Sequence, residues 1–151
     1  MELPRGKSTG KLDDKGRLKL SAPNQDFFRS LSEKKLFVTT LNGRTAVIYP
    51  IAAWRENEKL FENFRENPKA MKKVLFMAQD MGSEAEMDGQ GRLQLEAELR
   101  RELKLEGTQL HLIPSRGHIE IFTDEQYKAM KEQPGPELDD AIDIMERAGM
   151  R

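Results

Sequence analysis

A short phrase occurs twice in this chain, and that repetition constrains its fold more than any other feature. Residues 12–20 read L-D-D-K-G-R-L-K-L and residues 87–95 read M-D-G-Q-G-R-L-Q-L. Five identities fall in register: Asp13/Asp88, Gly16/Gly91, Arg17/Arg92, Leu18/Leu93 and Leu20/Leu95, with Leu12/Met87 a like pair. Downstream the copies keep pace. Phe37-Val38-Thr39-Thr40 answers Leu110-His111-Leu112-Ile113, and Ala46-Val47-Ile48-Tyr49 answers Ile119-Glu120-Ile121-Phe122. Trp54 and Tyr127 follow at the same distance. A repeated unit must build the same local structure twice. The expected organisation is a first repeat at 1–55, a helical spacer at 56–80, a second repeat at 81–130 and a tail helix at 131–151.

Within each copy the pattern is strand, turn, strand, short helix, strand, turn, strand, helix, which makes the fold class α+β. Leu18 and Leu20 alternate with Arg17 and Lys19, the period of a half-buried strand. Asn42-Gly43 between apolar runs predicts a hairpin with a type I′ turn, in which both central residues take positive φ. Thr123-Asp124-Glu125-Gln126 predicts a capping box opening the helix that carries Tyr127 and Met130. In the spacer, Asn67-Pro68 starts a helix whose stripe is Met71, Val74, Leu75 and Ala78. Pro134-Gly135-Pro136 marks a hinge before the tail. There Leu138, Ala141, Ile142 and Met145 fall on one helical face, which is expected to dock on a ring neighbour or on the chain's own core; the less favoured alternative is that its acidic residues cover the basic Lys11–Lys19 surface.

Composition closes several alternatives. Of 151 residues, 37% are hydrophobic and 34% charged, so the core is lean. Lys+Arg is 25 and Asp+Glu 26, a net charge of −1, which excludes a uniformly basic nucleic-acid binder but not a basic patch. With no cysteine there is no disulfide framework, thiolate metal site or cysteine nucleophile. His111 and His118, the only two histidines, flank a turn without a third ligand, and Ser115 beside His118 lacks a third group for nucleophilic catalysis. No catalytic set, metal or cofactor is therefore expected. No apolar run reaches ~18 residues and the N-terminal stretch lacks an apolar leader core, so neither a membrane span nor a secretory signal is expected.

The repeated Asp-x-x-Gly-Arg carries its own chemistry. The aspartate can accept N–H bonds from the turn that follows it. The glycine can take the positive φ that closes the turn. The arginine enters the next strand with a planar fork of donors for that aspartate, a partner chain, a phosphate or a guanine. Pinning the hairpin and gripping a ligand both remain open. Charge separates the copies: residues 11–19 hold Lys11, Lys15, Arg17 and Lys19 against Asp13 and Asp14, whereas residues 86–94 hold Arg92 against Glu86 and Asp88. Arg5 and Lys7 extend the basic set towards the N-terminus. A polyanion would favour the first copy.

The doubled phrase, Y-P-x-x-x-W at Tyr49, Pro50 and Trp54, and L-R-R-E-L after the second copy resemble the MraZ family over about residues 5–130. The resemblance implies two tandem AbrB-like swapped-hairpin β units related by a pseudo-two-fold, with flanking helices. It also implies a bacterial transcriptional regulator of the division and cell-wall gene cluster. Such a protein would bind double-stranded DNA at promoter direct repeats, assemble as a ring-like homo-oligomer, and lie in the cytoplasm on the nucleoid. Ser21 and Glu96 stand where that family has a proline, with Pro23 two residues late. The carried-over motif pairs are Asp13/Arg17 and Asp88/Arg92. Together these readings make Arg5, Lys7, Lys11, Lys15, Arg17 and Lys19 the candidate DNA contacts, with Arg17, Lys15 and Arg5 at base edges or phosphates and Lys7, Lys11 and Lys19 at phosphates. The rival reading is a ring-forming assembly protein that does not bind DNA.

Overall fold

The computed structural model describes residues 2–132 and 135–151. In chain order the elements are β1 (Ser8–Gly10), β2 (Arg17–Lys19), α1 (Ala22–Ser30), β3 (Leu36–Thr40), β4 (Ala46–Pro50), α2 (Ile51–Asn63) and α3 (Pro68–Met81). They continue as β5 (Ser83–Ala85), β6 (Arg92–Gln94), α4 (Ala97–Glu102), β7 (Leu110–Ser115), β8 (His118–Thr123), α5 (Asp124–Lys131) and α6 (Pro136–Arg147). The fold is α+β. The first-copy elements β1, β2, α1, β3, β4 and α2 recur in the same order as β5, β6, α4, β7, β8 and α5.

The two copies do not form separate sheets. One six-stranded antiparallel sheet runs β1-β7-β8-β4-β3-β5. The edge strand β1 therefore pairs with β7 of the second copy, and β5 pairs with β3 of the first. At the centre β4 meets β8 with Val47 opposite Glu120, and Ala46 and Ile48 opposite Ile121 and Ile119. A separate two-stranded ribbon joins β2 to β6, with Leu18 opposite Leu93. Leu18, Leu20, Leu93 and Leu95 pack from this ribbon into a core with Leu36, Ile48, Leu110, Leu112 and Ile119. Each fully buried aliphatic side chain of this kind contributes roughly 1.5–3 kcal/mol by leaving water. The other sheet face is covered by Trp54 of α2 and Ala78 of α3 against Phe37, Val47 and Tyr49. Apolar cover on both faces is why β3 and β4 are buried along their whole length.

Local chemistry explains the helix ends. The Ser21 hydroxyl accepts the Asn24 N–H at 3.4 Å and starts α1 without the missing proline. The expected capping box is present on α5: Thr123 accepts from the Gln126 N–H, and Gln126 accepts from the Thr123 N–H. Asn67 takes a left-handed conformation at φ 47° before Pro68 opens α3. The hinge expected at Pro134-Gly135-Pro136 falls partly outside the described residues, since Pro134 is not among them.

The hairpin expectation is corrected. Asn42-Gly43 is not a type I′ turn, because the Asn42 Oδ1 accepts the N–H groups of both Arg44 and Thr45 and holds a longer loop. Only Gly43 takes positive φ there. The two-residue turn lies in the second copy, where Ser115 pairs directly with His118 and both Arg116 and Gly117 have positive φ. Of the two docking expectations for the tail, the chain's own core is excluded: every described side chain from Glu137 to Arg151 is exposed.

Candidate nucleic-acid interface

The two Asp-x-x-Gly-Arg turns have the same geometry. Asp13 Oδ1 accepts the Lys15 and Arg17 N–H groups, each at 2.9 Å, and Oδ2 accepts the Arg17 Nε–H at 2.8 Å. Asp88 repeats this with the Gln90 N–H at 2.9 Å, the Arg92 N–H at 3.0 Å and the Arg92 Nε–H at 2.8 Å. The backbone closes both loops, with Gly16 N–H donating to the Asp13 carbonyl and Gly91 N–H to the Asp88 carbonyl, each at 3.0 Å. Bonds to the charged form lower a carboxyl pKa. The Arg92 backbone N–H, followed by its guanidinium and the Gln90 N–H, brings Asp88 down to about 2. The same groups from Arg17 and Lys15 lower Asp13.

Each turn is also tied to the other copy. Leu20 N–H donates to the Gly91 carbonyl at 2.9 Å, and Leu95 N–H to the Gly16 carbonyl at 3.0 Å. Gly16 and Gly91 both sit at φ 77°. A Cβ on Gly91 would lie 2.1 Å from the Gln25 amide carbon, and one on Gly16 would lie 2.4 Å from the Arg100 guanidinium carbon. The residues that cover the glycines are thus Gln25 on α1 over the second turn and Arg100 on α4 over the first.

This crossing builds one surface from both copies. Leu18 and Leu93 face the core, so their neighbours Arg17, Lys19, Arg92 and Gln94 share the opposite face of the ribbon. Arg17 stands opposite Gln94 and Lys19 opposite Arg92. The Lys19 Nζ donates to the Gln90 carbonyl, and the Gln94 amide donates to the Lys15 carbonyl at 2.8 Å. The side chains of Arg17 and Arg92 are 25% and 28% exposed. Each spends its Nε–H on its own aspartate. The two arginines are pinned alike, so the charge difference between the copies has no counterpart in turn geometry. Arg92 and Gln94 are the residues of this face that the sequence did not single out as candidate contacts. The signal for them was the repeat itself, because a motif present twice and paired to itself presents both copies together.

The other candidates lie elsewhere. Lys11 and Lys15 are exposed, and neither side chain forms an ion pair among the described residues. Arg5 pairs with Glu2 at 2.8 Å beside α1. Lys7 donates to the Tyr127 hydroxyl at 2.9 Å and thereby lowers the phenol pKa, fastening the N-terminal arm to α5. That ring stacks on His111 at 3.9 Å, and the His111 Nε2 bonds Asp124 at 2.9 Å. His118 packs on Tyr49 at 4.9 Å, where burial lowers its pKa. Both histidines are therefore packing residues of the sheet. Among the described residues no cluster of three His, Cys, Asp or Glu side chains could hold a metal. No helix among them is long and apolar enough to cross a membrane.

Residues 81–141 match the family described as "MraZ protein, putative antitoxin-like". The chain is 32% identical over 127 residues to the transcriptional regulator MraZ of Acidobacterium capsulatum, covering 82% of this chain and 84% of that one. It is 34% identical over 107 residues to the transcriptional regulator MraZ of Koribacter versatilis, covering 68% and 71%. The protein of the same name from Methylobacillus flagellatus is 28% identical over 132 residues, covering 85% and 86%. Identity of 32% over four-fifths of both chains shows that the chain belongs to the MraZ family.

Proposed function

We propose that this chain is a sequence-specific DNA-binding transcriptional regulator without catalytic activity. It lays the β2–β6 ribbon into the major groove, which is wide enough to admit a two-stranded ribbon. The observation that carries this reading is the shared outward face of Arg17, Lys19, Arg92 and Gln94. Arginine can bond guanine bidentately and glutamine adenine, so the face carries the side chains that base readout uses. Lys15 contacts base edges or phosphates beside it. Lys11 and Lys19 supply phosphate contacts, and Arg5 and Lys7 do so from the N-terminal arm. Fixing each arginine to its aspartate reduces the entropy lost when it meets a base.

The targets are short direct repeats upstream of the division and cell-wall gene cluster, and the protein acts in the cytoplasm on the nucleoid. A chain of net charge −1 neutralises few phosphates, so one subunit binds weakly. Several subunits in a ring-like homo-oligomer engage repeated sites at high effective concentration. A gel shift with a duplex carrying short direct repeats, against a scrambled duplex of equal length, tests this. Tighter binding to the repeats supports the reading. Equal binding removes sequence specificity, and no binding to either leaves the DNA-free assembly protein as the better account.

A further inference from the structure

The helical pair α2–α3 and the tail helix α6 each expose apolar surface that nothing in the same chain covers. Along the outer part of α2–α3 runs a groove floored by Phe61, Phe64, Met71 and Leu75. Its rim is basic, with Arg65, Lys69 and Lys72 against the single acid Glu62. On α6 the stripe Leu138, Ile142 and Met145 is 55%, 39% and 47% exposed. At helical spacing Asp139 and Glu146 border that stripe on one side and Glu137 on the other. The groove is thus apolar with a basic rim, and the helix is apolar with an acidic rim.

We propose that α6 of one copy lies in the α2–α3 groove of a second copy. The length fits: α6 has 12 residues and α3, which forms one wall, has 14. The chemistry fits at each layer, with aliphatic side chains on an aromatic and methionine floor, and carboxylates beside ammonium and guanidinium groups. The occupant is another copy because the chain's own α6 leaves every described side chain exposed while its own groove stays open. One helix buries little surface, so a single contact is weak. The same contact repeated around a closed assembly is reinforced by effective concentration. The inference takes from the proposed function only its self-association and names the contact that would carry it.

Because the chain has no cysteine, cross-linking between introduced cysteines tests the contact cleanly. Ile142→Cys and Met71→Cys proteins, tagged to differ in size, are mixed and oxidised, then resolved on a denaturing gel. Both positions are at least partly exposed, so neither change opens the core. The expected result is a mixed cross-linked band that falls several-fold when the Met71→Cys chain also carries Lys69→Glu and Lys72→Glu. The cysteine-free Lys69→Glu/Lys72→Glu protein should also lose mass in solution. A mixed band no stronger than that from an Ala52→Cys control overturns the proposal. So does a dominant Ile142–Ile142 product, or closure within one chain in the Ile142→Cys/Met71→Cys double variant. An oligomer that persists without the mixed band removes this contact and spares self-association; a monomeric wild-type protein removes both.

Discussion

In the folded chain Asp88 gives up its proton at about pH 2, because the backbone N–H of Arg92 and the groups beside it bond the carboxylate. A depressed folded-state pKa adds stability that is complete above the unfolded carboxyl range and is withdrawn as pH falls through the folded value. Asp88→Asn should therefore melt below wild type at about pH 7, and the gap should close as pH approaches about 2. Circular dichroism melts across that range check it; a gap constant with pH would mean that the charge is not what holds the turn. Gly91 is constrained twice, by φ 77° and by the Gln25 amide where a Cβ would stand. Gly91→Ala should cost about 1–2 kcal/mol for the left-handed backbone alone, plus the collision. Adding Gln25→Ala should recover the collision part only, as read from denaturant midpoints. The aspartate–turn bonds and the positive-φ glycine were legible in the sequence, because both follow from residue type and spacing. Gln25 and Arg100 as covers were not, because their contacts run to the other copy.

At the scale of elements, the capping box on α5 is a local signal that the fold keeps. Removing its hydroxyl with Thr123→Ala should cost about 1 kcal/mol, within the usual range for an N-cap. A melting temperature equal to wild type would show that α5 is held by Tyr127 stacking instead. The type I′ signal at Asn42-Gly43 failed for a physical reason: an asparagine oxygen that accepts two backbone N–H groups favours a longer loop over positive φ at its own position. Arg116-Gly117 took that turn although arginine has no preference for it, since strand pairing from Ser115 to His118 sets the loop length. The partners of strands β1 and β5 were not legible. Ser8-Thr9-Gly10 and Ser83-Glu84-Ala85 are short and carry no apolar alternation, so sequence pattern could not say which sheet edge each would join.

For the whole molecule, the decisive feature is that each copy completes the other. The ribbon needs β2 and β6 together, and both sheet edges are strands from the opposite copy. Residues 1–55 expressed alone should lack a cooperative unfolding transition, which calorimetry would reveal; a sharp transition would mean that the crossed pairing is dispensable. The same crossing makes the proposed reading head, since neither copy alone presents Arg17, Lys19, Arg92 and Gln94 on one face. The most direct measurement is fluorescence anisotropy with a direct-repeat duplex at several salt concentrations, comparing wild type with Lys15→Ala/Lys19→Ala. Neither lysine lies in the core, so the melting temperature should be unchanged. The account predicts weaker binding by the double variant and a salt dependence shallower by about two phosphate contacts per engaged subunit. Equal affinity and equal salt dependence for the two proteins would contradict it.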